Sequence, residues 1–367
     1  MKTLSQALGR EQNNFDLIRL VAALAVMLGH SYGVQTGSKL ESMLAFSHLE
    51  SFGSLAVYAF FMISGMLVSA SFARQPFALR FIGLRALRIW PAAIVCALFT
   101  GLIIGPLFTT LSPEAYFVHP WTRHWLMHNT SLLGRVGGAL PGVFAANHLS
   151  GAVNATVWTL PVELKCYLIV LVAGLFGWIG SKWSTALFVC VCALIFAWLV
   201  KYPPNNIVLG NFFILAPAYS FYPVPFFLLG MLLYAFRDRV LLSWLPVAIT
   251  AFLYMVTRYS AFATALFYVT FTYGILWVAS ADFLRKLAPR HDYSYGIYLY
   301  GFVIQQTVAY FSPTMNNYLA FAISVPITVL FAALSWHLVE RPSLAAFRRT
   351  TVPMTKNQSA RTRISDS

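Results

Sequence analysis

Ten apolar stretches separated by short polar pieces dominate this chain: 15–34, 52–72, 90–108, 157–178, 185–201, 212–235, 244–258, 260–280, 293–311 and 318–339. A helix needs about 20 mostly apolar residues to cross a bilayer, so each stretch reads as a candidate span. Of 367 residues, 59% are hydrophobic and 10% are charged, whereas a soluble domain is nearer a quarter charged. The pattern argues against a water-soluble enzyme. It predicts an all-α polytopic membrane protein with about ten transmembrane helices. Pro217, Pro223 and Pro225 should break or kink the sixth stretch, which a membrane helix tolerates if neighbours satisfy the freed backbone groups.

The net charge of +14 invites a nucleic-acid reading, but the Lys and Arg residues lie in short pieces between apolar runs. That is the membrane pattern, and no nucleic-acid partner is expected. With the N-terminus inside, the cytoplasmic pieces carry 18 Lys and Arg and the opposite pieces 5. This excess predicts that both termini are cytoplasmic and that the number of spans is even. Three segments follow: a cytoplasmic start at 1–14, a membrane domain at 15–342, and a basic tail at 343–367 expected to be disordered. Within the membrane domain, 109–156 is expected to be an extracytoplasmic loop and 73–89 a basic cytoplasmic one. Cys96, Cys166, Cys190 and Cys192 all fall in apolar segments and give no disulfide framework. The first stretch carries Asp16 and Arg19 and does not read as a cleavable signal.

Ionisable side chains within a membrane helix are costly and usually face a cavity, so each is a functional candidate. Arg19 and His30 are eleven residues apart in the first stretch, which is about three turns and ~16 Å of rise on one helix face. Arg19 falls near the cytoplasmic end and His30 in the outer third. Asp16, one turn before Arg19, reads first as a partner that offsets its charge. His30 is either a base or an interfacial histidine, and composition does not choose between them. Glu163, in Trp158-Thr159-Leu160-Pro161-Val162-Glu163, is expected at nearly the depth of His30. There a carboxylate could orient the imidazole tautomer and stabilise its charged form. The plainer reading is that Glu163 pairs with Lys165 or an arginine to hold the bundle together.

Arg85 and Arg88 lie one turn apart in Arg85-Ala86-Leu87-Arg88-Ile89-Trp90-Pro91 and could form a fork for phosphate, because planar guanidinium donors bind two oxygens at once. The plainer reading is ordinary positive charge beside acidic head groups. In the outer loop, His124 and His128 have i,i+4 spacing but no nearby carboxylate completes a metal site, so no metal is expected.

Taken together, these pieces resemble the acyltransferase-3 family of integral membrane O-acyltransferases. The resemblance rests on Arg19-x10-His30, on Phe60-Phe61-Met62-Ile63-Ser64-Gly65-Met66-Leu67 and on the Arg85-x-x-Arg88 element. It extends through Trp158 to Glu163, Ser294-Tyr295-Gly296-Ile297-Tyr298-Leu299-Tyr300 and Glu340-Arg341-Pro342, in order over roughly 15–342. Tyr300 stands where many members have histidine, and Pro161 and Leu164 also depart from the common wording.

The resemblance implies transfer of an acyl group, usually acetyl, from cytoplasmic acyl-CoA to a hydroxyl of a glycan or glycolipid outside a bacterial inner membrane. Arg85 and Arg88 would bind acetyl-CoA as co-substrate. His30, Glu163, Arg19 and Asp16 would form the catalytic group, with His30 as general base. The competing reading is a transporter or exporter of a glycan or organic anion, since broken helices and midplane charges also mark transporters.

Overall fold

The structure is a computed structural model that describes residues 2–9, 13–38, 40–134, 136–202 and 223–351. Each apolar stretch contains a helix. These are α1 Phe15–Thr36, α2 Phe52–Arg74, α3 Ala78–Phe99, α4 Thr159–Leu175 and α5 Lys182–Lys201. They continue as α6 Val224–Ala235, α7 Trp244–Thr257, α8 Ala263–Ser280, α9 Ser294–Phe311 and α10 Asn317–Ser335. Among the described residues, six helical runs are long and apolar enough to cross a membrane, and α6 and α7 are shorter apolar helices. Part of the sixth stretch, with Pro217, lies outside the described residues. Pro223 and Pro225 stand at the start of α6, where a missing N–H costs nothing.

Two boundaries differ from the sequence expectation. The basic segment before residue 90 is not a loop. α3 begins at Ala78 and carries Arg80, Arg85 and Arg88 within its first turns. Leu, Ala and Arg are all strong helix formers, so the charges interrupt the hydropathy without interrupting the helix. At the C-terminal end, a helix over Arg341–Thr351 continues past the expected start of the disordered tail.

α2 is the central helix: it packs on α1, α4 and α6, while α1 also packs on α9 and α10. The α2–α6 crossing is closed by glycine. A Cβ on Gly65 would stand 2.1 Å from the Phe227 carbonyl oxygen, and one on Gly230 would stand 2.2 Å from that of Met62. Helices in lipid gain their association from close packing of this kind. Gly65→Val should therefore force the pair apart at a cost of about 1–3 kcal/mol. The check is a thermal scan of the detergent-solubilised protein. A melting temperature equal to wild type would show that the crossing has room to spare.

α3 passes through a π turn at Thr100–Ile104 before finishing at Phe108. The Gly101 carbonyl there accepts a hydrogen bond of 2.8 Å from the Tyr116 hydroxyl. A second π turn, Trp336–Glu340, follows α10. Such turns occur often at functional sites, and this one ends on Glu340.

The segment 109–156 forms two short helices, Pro113–Val118 and Pro120–Ser131, and then threads back into the bundle along α9. Asn147 Nδ2 donates to the Gln306 carbonyl at 2.9 Å, and Gln306 Nε2 donates to the Leu149 and Ala152 carbonyls at 2.8 and 2.7 Å. Farther along, Asn154 Nδ2 donates to the Leu299 carbonyl at 2.8 Å and Thr156 Oγ1 to that of Tyr298 at 2.9 Å. Irregular backbone at membrane depth persists only where protein satisfies it, as the Gln306 side chain does for the Leu149 and Ala152 carbonyls. The inward thread has a consequence for depth. Thr159, the first residue of α4, shares a hydrogen bond with the Tyr298 hydroxyl at 2.7 Å, and Tyr298 is only four residues into α9. α4 thus starts inside the bundle, and Glu163 lies in the half near the start of α9.

Candidate active site

A cavity of about 110 Å³ opens between α1, α2, α3, α4 and α9. Arg19, Arg85 and Arg88 face it together with Glu163, Ser64 and Tyr167. Three guanidiniums so close together repel one another unless anions stand between them, and the structure supplies two.

Asp292, two residues before α9, takes both Arg19 Nη1 at 2.9 Å and Arg88 Nη2 on its Oδ2 atom. Its Oδ1 accepts the Ser294 amide at 3.2 Å and the Ser294 hydroxyl, which caps the helix start. Burial by itself would raise the Asp292 pKa. Arg19, Arg88 and the Ser294 hydroxyl outweigh that and hold it well below the usual carboxylate range. Glu340, delivered by the second π turn and 2% exposed, lies 3.8 Å from Arg88 and accepts from Ser335 at 3.1 Å. Asp292 and Glu340 therefore tie α1, α3, α9 and the end of α10 into one charged clamp.

Arg85 stands apart from this clamp. Its guanidinium lies 5.7 Å over the Tyr167 ring. Among the described residues it forms no salt bridge, and its buried Nε has no hydrogen-bond partner. The Arg85–Arg88 fork expected from spacing is thus unequal. Arg88 is already engaged by two carboxylates, whereas Arg85 keeps its donors for something else.

The other sequence candidates separate. The carboxylate on Arg19 belongs to Asp292, not to Asp16, which sits one turn earlier at an exposed position. Glu163 accepts hydrogen bonds from Ser64 at 3.3 Å and from the Tyr167 hydroxyl. His30 does not line the cavity. Its Nδ1 lies 2.8 Å from the Val26 carbonyl oxygen, and its ring meets the edge of Phe302 at 5.2 Å. The expected pairing of Glu163 with His30 is therefore absent among these contacts, because α4 begins deeper than hydropathy places it. The carbonyl of Val26 can only accept, so Nδ1 carries a proton, and in the neutral ring Nε2 keeps its lone pair. That is the tautomer a general base requires. Tyr300 is buried between Phe99 and Phe331, with ring centroids at 6.0 and 5.6 Å.

Sequence reading missed Asp292 altogether and gave Glu340 no role. For Asp292 a signal existed: Asp292-Tyr293-Ser294 directly before an apolar run is a helix-start pattern. Its bond to Arg19, 273 residues away in sequence, left no such signal.

Residues 12–337 match the family model for the acyltransferase-3 acyltransferase domain. The chain belongs to the acyltransferase-3 family. It is 30% identical over 338 residues to the O-acetyl transferase of Shigella phage Sf6, covering 90% of this chain and 96% of that one. It is also 30% identical over 357 residues to Nodulation protein 10 of Rhizobium leguminosarum bv. viciae, covering 91% and 93%. No solved structure matches the chain at a significant level. This acyltransferase is thus a helical membrane protein that carries Arg19 and His30 on α1 and Arg85 and Arg88 on α3.

Proposed function

We propose that this acyltransferase moves a short acyl group, acetyl above all, from cytoplasmic acyl-CoA to a hydroxyl of a glycan or glycolipid on the far side of a bacterial inner membrane. The observation that carries the reading is the division of labour along α1. A cavity rich in guanidinium lies at the Arg19 end, and a histidine with a free Nε2 lies about 16 Å farther along the helix. The excess of basic residues in the pieces assigned to the Arg19 end favours a cytoplasmic position for that end.

Arg85 takes a phosphate oxygen of the donor, since its donors are unused and charge-assisted bonds to phosphate are strong. Arg19 and Arg88, clamped by Asp292 and Glu340, keep the surrounding potential positive without collapsing onto the ligand. Glu163 fixes the Tyr167 hydroxyl and so the ring beneath Arg85, a positioning task on the donor side. The pantetheine arm brings the thioester towards the middle of α1. His30 Nε2 takes the proton of the acceptor hydroxyl as its oxygen attacks the thioester carbonyl. The carbon–sulfur bond then breaks and the thiolate of CoA leaves.

The test is mass spectrometry of cell-surface glycans from wild type, a deletion strain and the complemented deletion. The expected result is an added acyl mass that disappears on deletion and returns on complementation, which would also identify the acceptor. Transport of an unmodified glycan or organic anion, with no acyl difference between strains, would overturn the reading in favour of an exporter.

A further inference from the structure

The cavity of about 110 Å³ between α1, α2, α3, α4 and α9 holds only part of a cofactor-sized molecule, whose pockets run to about 300–1,000 Å³. A wider groove of about 630 Å³ lies at the start of α3, lined by Gln75, Pro76, Phe77, Leu79, Arg80 and Phe347. Three of these side chains give it a chemistry. Among the described residues Arg80 forms no salt bridge, and its buried Nε has no hydrogen-bond partner. Phe77, 61% exposed, offers an aromatic face, and the Gln75 amide can both donate and accept. A guanidinium beside aromatic faces and an amide suits a phosphate that carries a planar base.

The groove and the cavity succeed one another along α3. Phe347 fills the place of the missing Gly83 side chain, since a Cβ there would stand 2.3 Å from its Cζ. Glu340, seven residues before Phe347, lies 3.8 Å from Arg88. The helix Arg341–Thr351 thus runs beside α3 from the charged clamp back to the groove. Arg80 precedes Arg85 by five residues, about 7.5 Å of rise. A ligand lying along α3 would meet Arg80 first, Arg85 next and the small cavity last.

We infer that this groove is the nucleotide subsite of the donor, in which Arg80 takes the 3′-phosphate of the CoA ribose and the adenine lies against Phe77 and Phe347. The inference rests on the proposed reading of the cavity as the acyl-CoA site. CoA carries its 3′-phosphate and its diphosphate on one ribose, and Arg80 and Arg85 stand less than two turns apart on one helix. Only the thin pantetheine arm then has to enter the cavity. A lipid head group would also satisfy Arg80, but it has no planar base to lay on the aromatic faces.

The experiment measures binding of CoA, of dephospho-CoA, which lacks only the 3′-phosphate, and of adenosine 3′,5′-bisphosphate to the purified full-length protein in detergent. Wild type should bind CoA about 10–100-fold more tightly than dephospho-CoA, the equivalent of one or two charge-assisted bonds, and adenosine 3′,5′-bisphosphate should displace CoA. Arg80→Ala should bring CoA down to the dephospho-CoA level and leave dephospho-CoA affinity unchanged, which also reports a folded protein. Arg85→Ala should weaken both ligands and keep the gap between them. Phe77→Ala should weaken both about tenfold, the loss of one stacked base. Should Arg80→Ala fail to accumulate, Arg80→Gln takes its place. Equal wild-type affinity for CoA and dephospho-CoA, or an Arg80 variant that keeps the gap, would overturn the subsite while leaving the donor cavity standing. Thermal stabilisation by phosphatidylglycerol that requires Arg80, with no preference for the 3′-phosphate, would give the groove to a lipid head group instead. Absence of CoA binding to wild type at millimolar concentration would remove the donor site and the subsite with it.

Discussion

Replacing His30 by alanine should abolish acyl transfer while the protein still inserts and accumulates at the wild-type level. The two halves of this expectation have different physical sources. His30 contributes one hydrogen bond to its own helix, to the Val26 carbonyl, and one edge contact with Phe302. Loss of such a bond costs about 1 kcal/mol, which a packed bundle survives. General base catalysis, by contrast, contributes about 10²–10⁴-fold to a rate. Acyl incorporation per unit of membrane protein should therefore fall by about that factor, with surface abundance unchanged. His30→Gln sharpens the test. Glutamine keeps a donor for the backbone but offers no basic nitrogen, so it should be as inactive as alanine. Full incorporation by either variant would take His30 out of the mechanism.

Asp292→Asn is expected to damage both stability and activity, because one carboxylate serves two guanidiniums and a helix start. Only 12% of the Asp292 side chain is exposed, so its negative charge is not replaced by water. Breaking a buried ion pair by neutralising one partner costs about 3–5 kcal/mol. The lower end is expected here because Glu340 remains 3.8 Å from Arg88. Arg19 and Arg88 would then repel across the cavity mouth and move apart. The measurements are the melting temperature and the acyl-CoA concentration dependence of transfer, both of which should suffer.

Arg85→Ala supplies the contrast. With no ion pair to break, it should leave the melting temperature near wild type and raise the acyl-CoA KM about 10–100-fold, the equivalent of one or two charge-assisted bonds. An Arg85→Ala protein with unchanged KM would remove the phosphate role. An Asp292→Asn protein with wild-type stability and kinetics would show that the clamp is dispensable.

The unequal behaviour expected of Arg85 and Arg88 illustrates what spacing conveys and what it withholds. One helical turn between them, legible in the sequence, places both on the cavity side of α3. Whether a guanidinium is committed depends on the anions around it, and Asp292 and Glu340 arrive from 204 and about 250 residues farther along the chain. The same distinction explains Glu163. Its helix was visible as an apolar run, but the depth of that run depends on how far the preceding loop dips into the bundle. That dip is fixed by Asn147, Asn154, Thr156 and Gln306 bonding along α9.

By itself the sequence determined a helical membrane protein, the positions of its apolar helices, and the alignment of Arg19 with His30 on one face of α1. Those properties follow from hydropathy and from 3.6 residues per turn, both of which are local along the chain. Tertiary structure alone decided that Asp292 rather than Asp16 holds Arg19 and that Glu163 belongs with Arg85 and Tyr167 instead of His30. Each of these depends on which helices become neighbours and at what depth. Packing among side chains hundreds of residues apart fixes that, and no local periodicity records it.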